Sequence, residues 1–145
     1  MISLSSGLKN NLLNSLGLRS LLAGGAIHLF DGSQPSNADR EYSSNRLGVI
    51  TNEGMIESFP INGLYFQNPS SGILMKSLTQ TWTIRLLQPG TATWFRFVSW
   101  KNEYSGYSTN AIRLDGAIGE DLVLINPVLA AEDLPRNINS FYIHL

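Results

Sequence analysis

The chain contains 145 residues, of which 14% are charged and none is cysteine, and its formal net charge is −1. This length fits one domain and allows a hydrophobic core without covalent cross-links. The near-neutral charge excludes a strongly basic nucleic-acid binder that works by neutralising phosphates. The absence of cysteine excludes disulfides, thiolate metal sites and cysteine nucleophiles. We therefore predict a single domain over residues 1–145 that binds no nucleic acid.

The first residues carry no recognisable signal for export or membrane insertion. They lack the basic segment and the uninterrupted apolar run of a signal peptide. No stretch of about 18 successive apolar residues occurs in the chain. We expect a soluble protein that is made in a cytoplasm and has no membrane partner.

Residues 5–23 form the one predicted α-helix. Ser5 or Ser6 can cap its N-terminus, and leucines recur at helical spacing along one side. Gly17 interrupts the pattern, so a second short helical turn follows and ends at Gly24-Gly25. We expect this helix to cover an end or an edge of a sheet, the alternative being a docking helix for another subunit.

Short strands separated by turn residues occupy the rest of the chain. Residues 26–30 form the first, and a long polar loop over 31–45 follows. The further predicted strands are 46–51, 64–67, 73–75, 81–87, 92–100, 111–115, 121–125 and 138–144. Pairs such as Asp31-Gly32 and Asp115-Gly116 predict turns between them. We predict an all-β fold, an antiparallel β-sandwich of which the jelly roll is one form, with one N-terminal α-helix.

The predicted strand over 92–100 is apolar on both sides. Phe95 and Phe97 point to one side, while Trp94, Val98 and Trp100 share the other. Such a strand is either covered on both faces or half-exposed for a partner. The predicted core residues are Phe95, Phe97, Ile84 and Phe141.

The other side of this strand, together with the loop that follows it, is the predicted subunit interface. The charged fraction of 14% lies well below the usual share of about 25%, which favours a subunit of an assembly over a free monomer. The candidate interface residues are Trp94, Val98, Trp100, Tyr104 and Tyr107. We therefore expect the chain to form a homo-oligomer.

The sequence contains no catalytic or metal-binding motif. The two histidines, His28 and His144, lie in separate predicted strands. The adjacent carboxylates Glu120-Asp121 and Glu132-Asp133 would point to opposite sides of a strand, and Asp115 falls in a predicted turn, so none forms the facing pair that glycoside hydrolysis needs. We predict no enzymatic activity, no catalytic residue, no metal and no cofactor.

Carbohydrate binding is the alternative function from another class. Sugar-binding sites use exposed aromatic rings, and the polar loop over 101–110 carries Tyr104 and Tyr107 close in sequence to three tryptophans, Trp82, Trp94 and Trp100. The simpler interpretation places the tryptophans in the core or at a subunit interface, where their apolar rings and single polar group are both used. A carbohydrate partner therefore stays an alternative at this point.

Three segments resemble a pattern shared by small tailed-bacteriophage and prophage proteins. The first runs from Gly24-Gly25 through a strand to Gln34-Pro35-Ser36-Asn37-Ala38-Asp39. The second is Gly90-Thr91-Ala92-Thr93-Trp94-Phe95-Arg96, and the third is Asp115-Gly116-Ala117-Ile118-Gly119. The resemblance covers most of the chain. The relatives usually have a longer turn after the third segment, where Glu120-Asp121 follows directly here.

This resemblance implies a virion structural component encoded among head and neck genes, and it implies no catalytic residues. We therefore predict a homo-oligomeric bacteriophage virion protein, assembled in the host cytoplasm, with a collar or neck component at the head–tail junction as the first assignment. Capsid decoration (cement) and tail proteins are alternatives within this class. The expected partners are copies of this chain and the portal or neck, capsid or tail proteins of the virion.

Overall fold

A computed structural model describes residues 1–13, 17–58, 60–100, 105–133 and 135–144. The helices are α1 (Ser6–Leu13) and α2 (Leu18–Leu22), and a 3₁₀ turn spans Ala131–Asp133. The strands are β1 (Ser3–Leu4), β2 (Ala26–Phe30), β3 (Arg46–Asn52), β4 (Ile73–Met75), β5 (Trp82–Leu86), β6 (Gly90–Thr91), β7 (Trp94–Val98), β8 (Arg113–Ala117), β9 (Val128–Leu129), β10 (Arg136–Asn137) and β11 (Tyr142–His144).

A seven-stranded antiparallel sheet forms the larger layer of the molecule. Its strand order is β1-β8-β7-β2-β3-β5-β10, so β7 and β2 lie near its centre and the two-residue strands β1 and β10 form its edges. Two small antiparallel pairs, β11-β4 and β6-β9, lie outside this sheet. The all-β antiparallel sandwich predicted from the sequence is confirmed. Its layers are unequal, with seven strands in one sheet and two strands in each of the small pairs. This differs from a jelly roll, which divides eight strands between two sheets.

The hydrophobic core lies against one face of the large sheet, which we call the core face. Phe95 and Phe97 of β7 point into it, as do their cross-strand neighbours Leu29 and Ile27 of β2. Residues from both helices, from β4 and β11 and from the loops complete the core. The burial predicted for Phe95, Phe97, Ile84 and Phe141 is confirmed.

The start of α1 is held by side chains on both sides of it. The hydroxyl of Ser5 accepts a hydrogen bond from the backbone N–H of Leu8 at 3.1 Å, which is the capping contact predicted from the sequence. The carboxylate of Asp39 accepts hydrogen bonds from the backbone N–H of Ser6 at 2.7 Å and from its hydroxyl at 2.6 Å. The long polar loop over 31–45 is therefore attached to the helix by its own acidic residue.

The predicted single helix over 5–23 is divided into α1 and α2. Gly17 precedes α2 with extended dihedral angles, φ −75° and ψ 148°, so the helical backbone does not continue through it. Residues 14–16 lie outside the described part of the chain. Gly24 has a positive φ of 77° just after α2, as the predicted glycine stop requires.

Three predictions about strands were wrong: the turn at Asp115-Gly116 and the strands over 121–125 and 64–67. The expected turn at Asp115-Gly116 lies inside β8, where both residues pair with β7. Residues 121–125 are not a strand, since their one ladder contact is a parallel bridge between Ile118 and Leu122. The residues expected as a strand over 64–67 also make only isolated bridges. An Asp-Gly pair has a local turn preference, which the cross-strand pairing of β8 with β7 overrides.

Candidate functional site

Two of the five residues predicted to form a subunit interface are buried inside the chain itself. Trp94 is 1% exposed and Val98 is 2% exposed. They lie on the face of the large sheet opposite the core face, which we call the outer face. The prediction that they contact another subunit was wrong, because other parts of this chain already cover them.

Aromatic residues on the loop over 31–45 and on β2 enclose Trp94. Its ring stacks on Phe30 with 4.3 Å between ring centres, and Tyr42 approaches it edge-on at 6.3 Å. The indole N–H donates to the carbonyl oxygen of Asp31 at 3.0 Å and to the hydroxyl of Ser44 at 3.2 Å. The long loop is therefore a cover for the outer face of the sheet.

Trp100 and Tyr107 remain at the surface, with 40% and 69% of their areas exposed, while Tyr104 lies outside the described residues. Trp100 lies near Pro60 and Tyr65, since a Cβ atom added to Gly24 would meet atoms of all three within 3.4 Å. Ile61, next to Pro60 in sequence, is also strongly exposed. We call Pro60, Ile61, Tyr65 and Trp100 the Trp100 surface.

The Trp100 surface is supported by ordered backbone contacts. The segment that carries Tyr65 is joined to the end of α2 by two hydrogen bonds, from Gly24 N to Leu64 O and from Leu64 N to Gly25 O, each 2.8 Å long. The hydroxyl of Tyr65 donates to the carbonyl oxygen of Pro60 at 3.3 Å. The exposed apolar side chains are thus held on a scaffold that is shared with the main sheet.

A buried polar row crosses the outer face of the sheet. Asp115 of β8 lies directly opposite Arg96 of β7, which lies directly opposite His28 of β2. Arg96 donates two hydrogen bonds to the Asp115 carboxylate, from Nε and from Nη2, each 2.7 Å long, and both side chains are fully buried. Burial raises the pKa of Asp115, and the hydrogen bonds from Arg96 oppose this shift.

His28 ends this row as a neutral side chain. Its Nδ1 lies 3.1 Å from Nη1 of Arg46, and because a guanidinium only donates, Nδ1 accepts this hydrogen bond. Burial, together with the positive charges of Arg46, Arg96 and Arg85, lowers the pKa of His28 to about 3. A histidine with this pKa carries no charge near neutral pH and is not accessible to solvent.

The remaining candidate carboxylates do not meet in a pocket. Glu120 and Asp121 both lie beside the N-terminal ammonium group, at 3.2 and 3.1 Å. Glu132 and Asp133 are exposed in the 3₁₀ turn. No group of three or more His, Asp or Glu side chains in the described ranges is arranged to hold a metal ion. Within the same ranges, no helix has the length and apolar character needed to cross a membrane.

Sequence reasoning missed the polar row because it considered each residue alone. The sequence pattern alone puts Arg96 on an apolar strand and Asp115 in a turn. A signal was present in the sequence, since an arginine between aromatic residues on a buried strand requires an acidic partner on a neighbouring strand. Only the register of β7 against β8 identifies that partner as Asp115.

No protein-family model, curated protein or solved structure matches this chain.

Proposed function

We propose that this chain is a homo-oligomeric structural protein of a tailed-bacteriophage virion, with a collar or neck position at the head–tail junction as the first assignment. Capsid decoration and a position in the tail are the alternatives within this function. The proposal rests on the resemblance of three sequence segments to phage proteins and on the character of the exposed surface. In this role the protein assembles in the host cytoplasm with copies of itself and with other virion proteins.

The observation that carries the proposal is the Trp100 surface. A partly exposed tryptophan and a partly exposed tyrosine lie close together, and the exposed Ile61 follows Pro60, which lies beside them. Aromatic residues are enriched at the centres of protein interfaces, where they bury a large area with little loss of conformational freedom. The sheet needs no further cover on β7, because both of its faces are already buried there. The exposed residues at the surface beyond β7, such as Trp100 and Ile61, are where a neighbouring subunit would make contact.

Carbohydrate binding remains the second candidate, and the exposure of Trp100 and Tyr107 favours it. Exposed aromatic rings can stack on the apolar face of a sugar. Titration calorimetry with the surface glycans of the bacterial host distinguishes the two functions. A glycan that binds the isolated protein and loses affinity in Trp100→Ala supports the carbohydrate-binding function.

Immunogold labelling of purified phage particles tests the proposed function. We expect label at the head–tail junction. Label spread over the capsid would move the assignment to decoration, and label along the tail would move it to a tail protein. Particles without label would contradict the proposal, provided that the same antibody recognises the protein in a lysate of infected cells.

A further inference from the structure

Residues 122–125 have the side-chain pattern of a strand but lie outside every sheet. Leu122 and Leu124 are buried, whereas Val123 and Ile125 are 66% and 80% exposed. This alternation is that of an extended segment with one face on the core and the other toward solvent. Leu122 makes a single bridge to Ile118, and the segment pairs no further. Two large apolar side chains therefore stand beside each other at the surface.

Only Leu122 of this segment has backbone hydrogen bonds within the described residues, to Ala117 O and from Gly119 N. The N–H and C=O groups of Val123, Leu124 and Ile125 form no hydrogen bond within the described part of the chain. An extended segment with free backbone groups and exposed apolar side chains is a template for pairing with another strand. Natural edge strands usually avoid this by placing charges or proline there, and residues 122–125 contain neither.

An apolar cavity of about 170 Å³ lies alongside the segment. Ile84, Leu124 and Ile138 line it, together with Arg136 of the edge strand β10. Arg136 donates one hydrogen bond from Nη2 to the carbonyl oxygen of Val128 at 3.1 Å. Its Nε is buried and has no hydrogen-bond partner in the described residues. Unpartnered exposed apolar side chains, Val123 and Ile125, therefore stand next to a cavity whose lining is mainly apolar.

We propose that residues 123–125 pair in antiparallel fashion with the same residues of a second copy of this chain, across a twofold axis at Leu124, so that Val123 of each copy lies opposite Ile125 of the other. This inference rests on the homo-oligomer of the proposed function and assigns a surface to it. The pairing would satisfy the free backbone groups of both copies. It would also bring Val123 and Ile125 of each copy together and cover the mouth of the cavity. Each copy uses the same patch in a twofold contact of this kind, so the contact joins two copies and does not extend into a filament.

The charges that flank the segment suit this arrangement. Antiparallel pairing places the residues that precede the segment in one copy beside those that follow it in the other. Glu120 precedes the segment; its side chain is 69% exposed and lies 3.2 Å from the N-terminal ammonium group of its own chain, where Asp121 also lies, so the cluster of one ammonium group and two carboxylates is net negative. Val128 follows the segment, and Arg136 is bound to its carbonyl oxygen. The acidic side chain of each copy would therefore lie near the guanidinium group of the other copy, which favours the antiparallel register over a parallel one.

Sedimentation velocity of the full chain over a range of concentrations tests the inference. We expect a dimer whose dissociation constant rises about tenfold or more in Val123→Glu, since a charge at the centre of an apolar interface is poorly tolerated. The matched control is Leu78→Glu, which places the same charge at another exposed apolar position and should leave the dimer unchanged. Hydrogen exchange at the amides of 123–125 should slow as the dimer forms.

A charge-reversal cycle provides a second test that does not depend on the folding of Val123→Glu. Glu120→Arg and Arg136→Glu should each weaken the dimer, and the double variant should restore part of the loss. A monomer at all concentrations would overturn the inference, as would a dimer that Val123→Glu and the charge reversals leave unchanged. If Ile61→Lys disrupted a dimer that the other variants leave unchanged, the dimer would form through the Trp100 surface. That result would contradict this inference without contradicting the proposed virion function.

Discussion

At the scale of single residues, the most informative feature is the ion pair between Arg96 and Asp115. Two fully buried charges are compensated by two short hydrogen bonds, and their cross-strand register places them opposite each other. A slip of β7 by one residue would turn Arg96 into the core face, among phenylalanine and leucine side chains. The pair therefore specifies register more than it adds stability, because desolvation of both charges offsets most of their attraction.

Replacement of one member of this pair should be worse than replacement of both. We expect Asp115→Asn to destabilise the protein by about 3–5 kcal/mol, because it removes the carboxylate that accepts two hydrogen bonds from the buried Arg96 guanidinium. The double variant Arg96→Met/Asp115→Leu should lose much less, since no charge remains. Urea unfolding at pH 7 measures the free energy of unfolding of the single and the double variant. Equal losses in the single and double variants would contradict this role.

His28 makes stability depend on pH. The pKa of His28 is about 3 in the folded chain and has its ordinary value of 6.5 in the unfolded chain. Between these two pH values His28 is protonated in the unfolded state but not in the folded state. The full stability is present above pH 6.5 and is lost as the pH falls toward 3, by about 1.4 kcal/mol per pH unit.

The comparison of wild type with His28→Gln isolates this effect. Urea unfolding between pH 5 and pH 6.5 should show the slope in the wild type and a flatter profile in the variant. The range stays above the titration of most carboxylates, which would otherwise add their own slope. Parallel profiles would show that another group is responsible.

Phe95 tests the assignment of the two faces of β7. Its ring lies in the core with 5.8 Å between its centre and that of Phe141, at a nearly perpendicular angle. Phe95→Ala should reduce the free energy of unfolding by about 3–5 kcal/mol through lost burial and the cavity that remains. The control Leu78→Ala removes an exposed side chain and should change it little. A loss below about 1 kcal/mol would show that the two faces of β7 are assigned the wrong way round.

At the scale of elements, the close approach of α1 to the segment before β8 decides how the helix docks. A Cβ atom added to Gly7 would collide with the backbone of Asn110. The missing side chain therefore lets the helix backbone lie directly on its neighbour, where Ser5 also donates a hydrogen bond to the carbonyl oxygen of Ala111 at 2.6 Å.

Gly7→Ala should destabilise the protein even though alanine is the better helix former. Helix propensity alone predicts a gain of about 1 kcal/mol, whereas the collision predicts a loss of about 1–3 kcal/mol. Asn10→Ala on the same helix is the control, because Asn10 is exposed and gains only from propensity. Thermal unfolding should move in opposite directions for the two variants. A stabilised Gly7→Ala would mean that α1 can shift at little cost.

At the scale of the whole molecule, the two faces of the sheet differ in what covers them. The core face is closed by apolar residues from helices, short strands and loops, while the outer face holds the polar row beneath loops. Large exposed apolar residues are left at the Trp100 surface and along residues 122–125. An assembly would bury such residues, which is the arrangement that the proposed function requires.

The Trp100 surface should matter for incorporation into particles but not for folding. We expect Ile61→Lys to keep the wild-type free energy of unfolding within about 0.5 kcal/mol, as an exposed substitution usually does. Its incorporation into virions, measured by quantitative blotting of purified particles, should fall well below that of Leu78→Lys. If both variants were incorporated equally, the Trp100 surface would not be a contact in the assembled virion.

Local sequence patterns were sufficient for the class of fold and for most of its strands. Alternation of apolar residues predicted the core position of Phe95 and Phe97, and glycine pairs predicted the stop after α2, because both are properties of a few successive residues. The same patterns could not decide whether Trp94 and Val98 meet another subunit or another part of the chain. Both alternatives require an apolar side chain at these positions. The folded chain shows that the loop over 31–45, which is distant in sequence, covers Trp94.

Local sequence patterns are enough to predict an antiparallel β fold with a helical N-terminal region, the residues of its aromatic core and the capping serine of its first helix. The pairing of polar groups depends on the folded chain, since strand register brings Arg96 and Asp115 together and burial among arginines makes His28 neutral. The folded chain also leaves residues 122–125 outside the sheets with exposed apolar side chains. The physical reason is that propensity and periodicity act over a few residues, whereas burial, register and charge pairing depend on segments far apart in the chain.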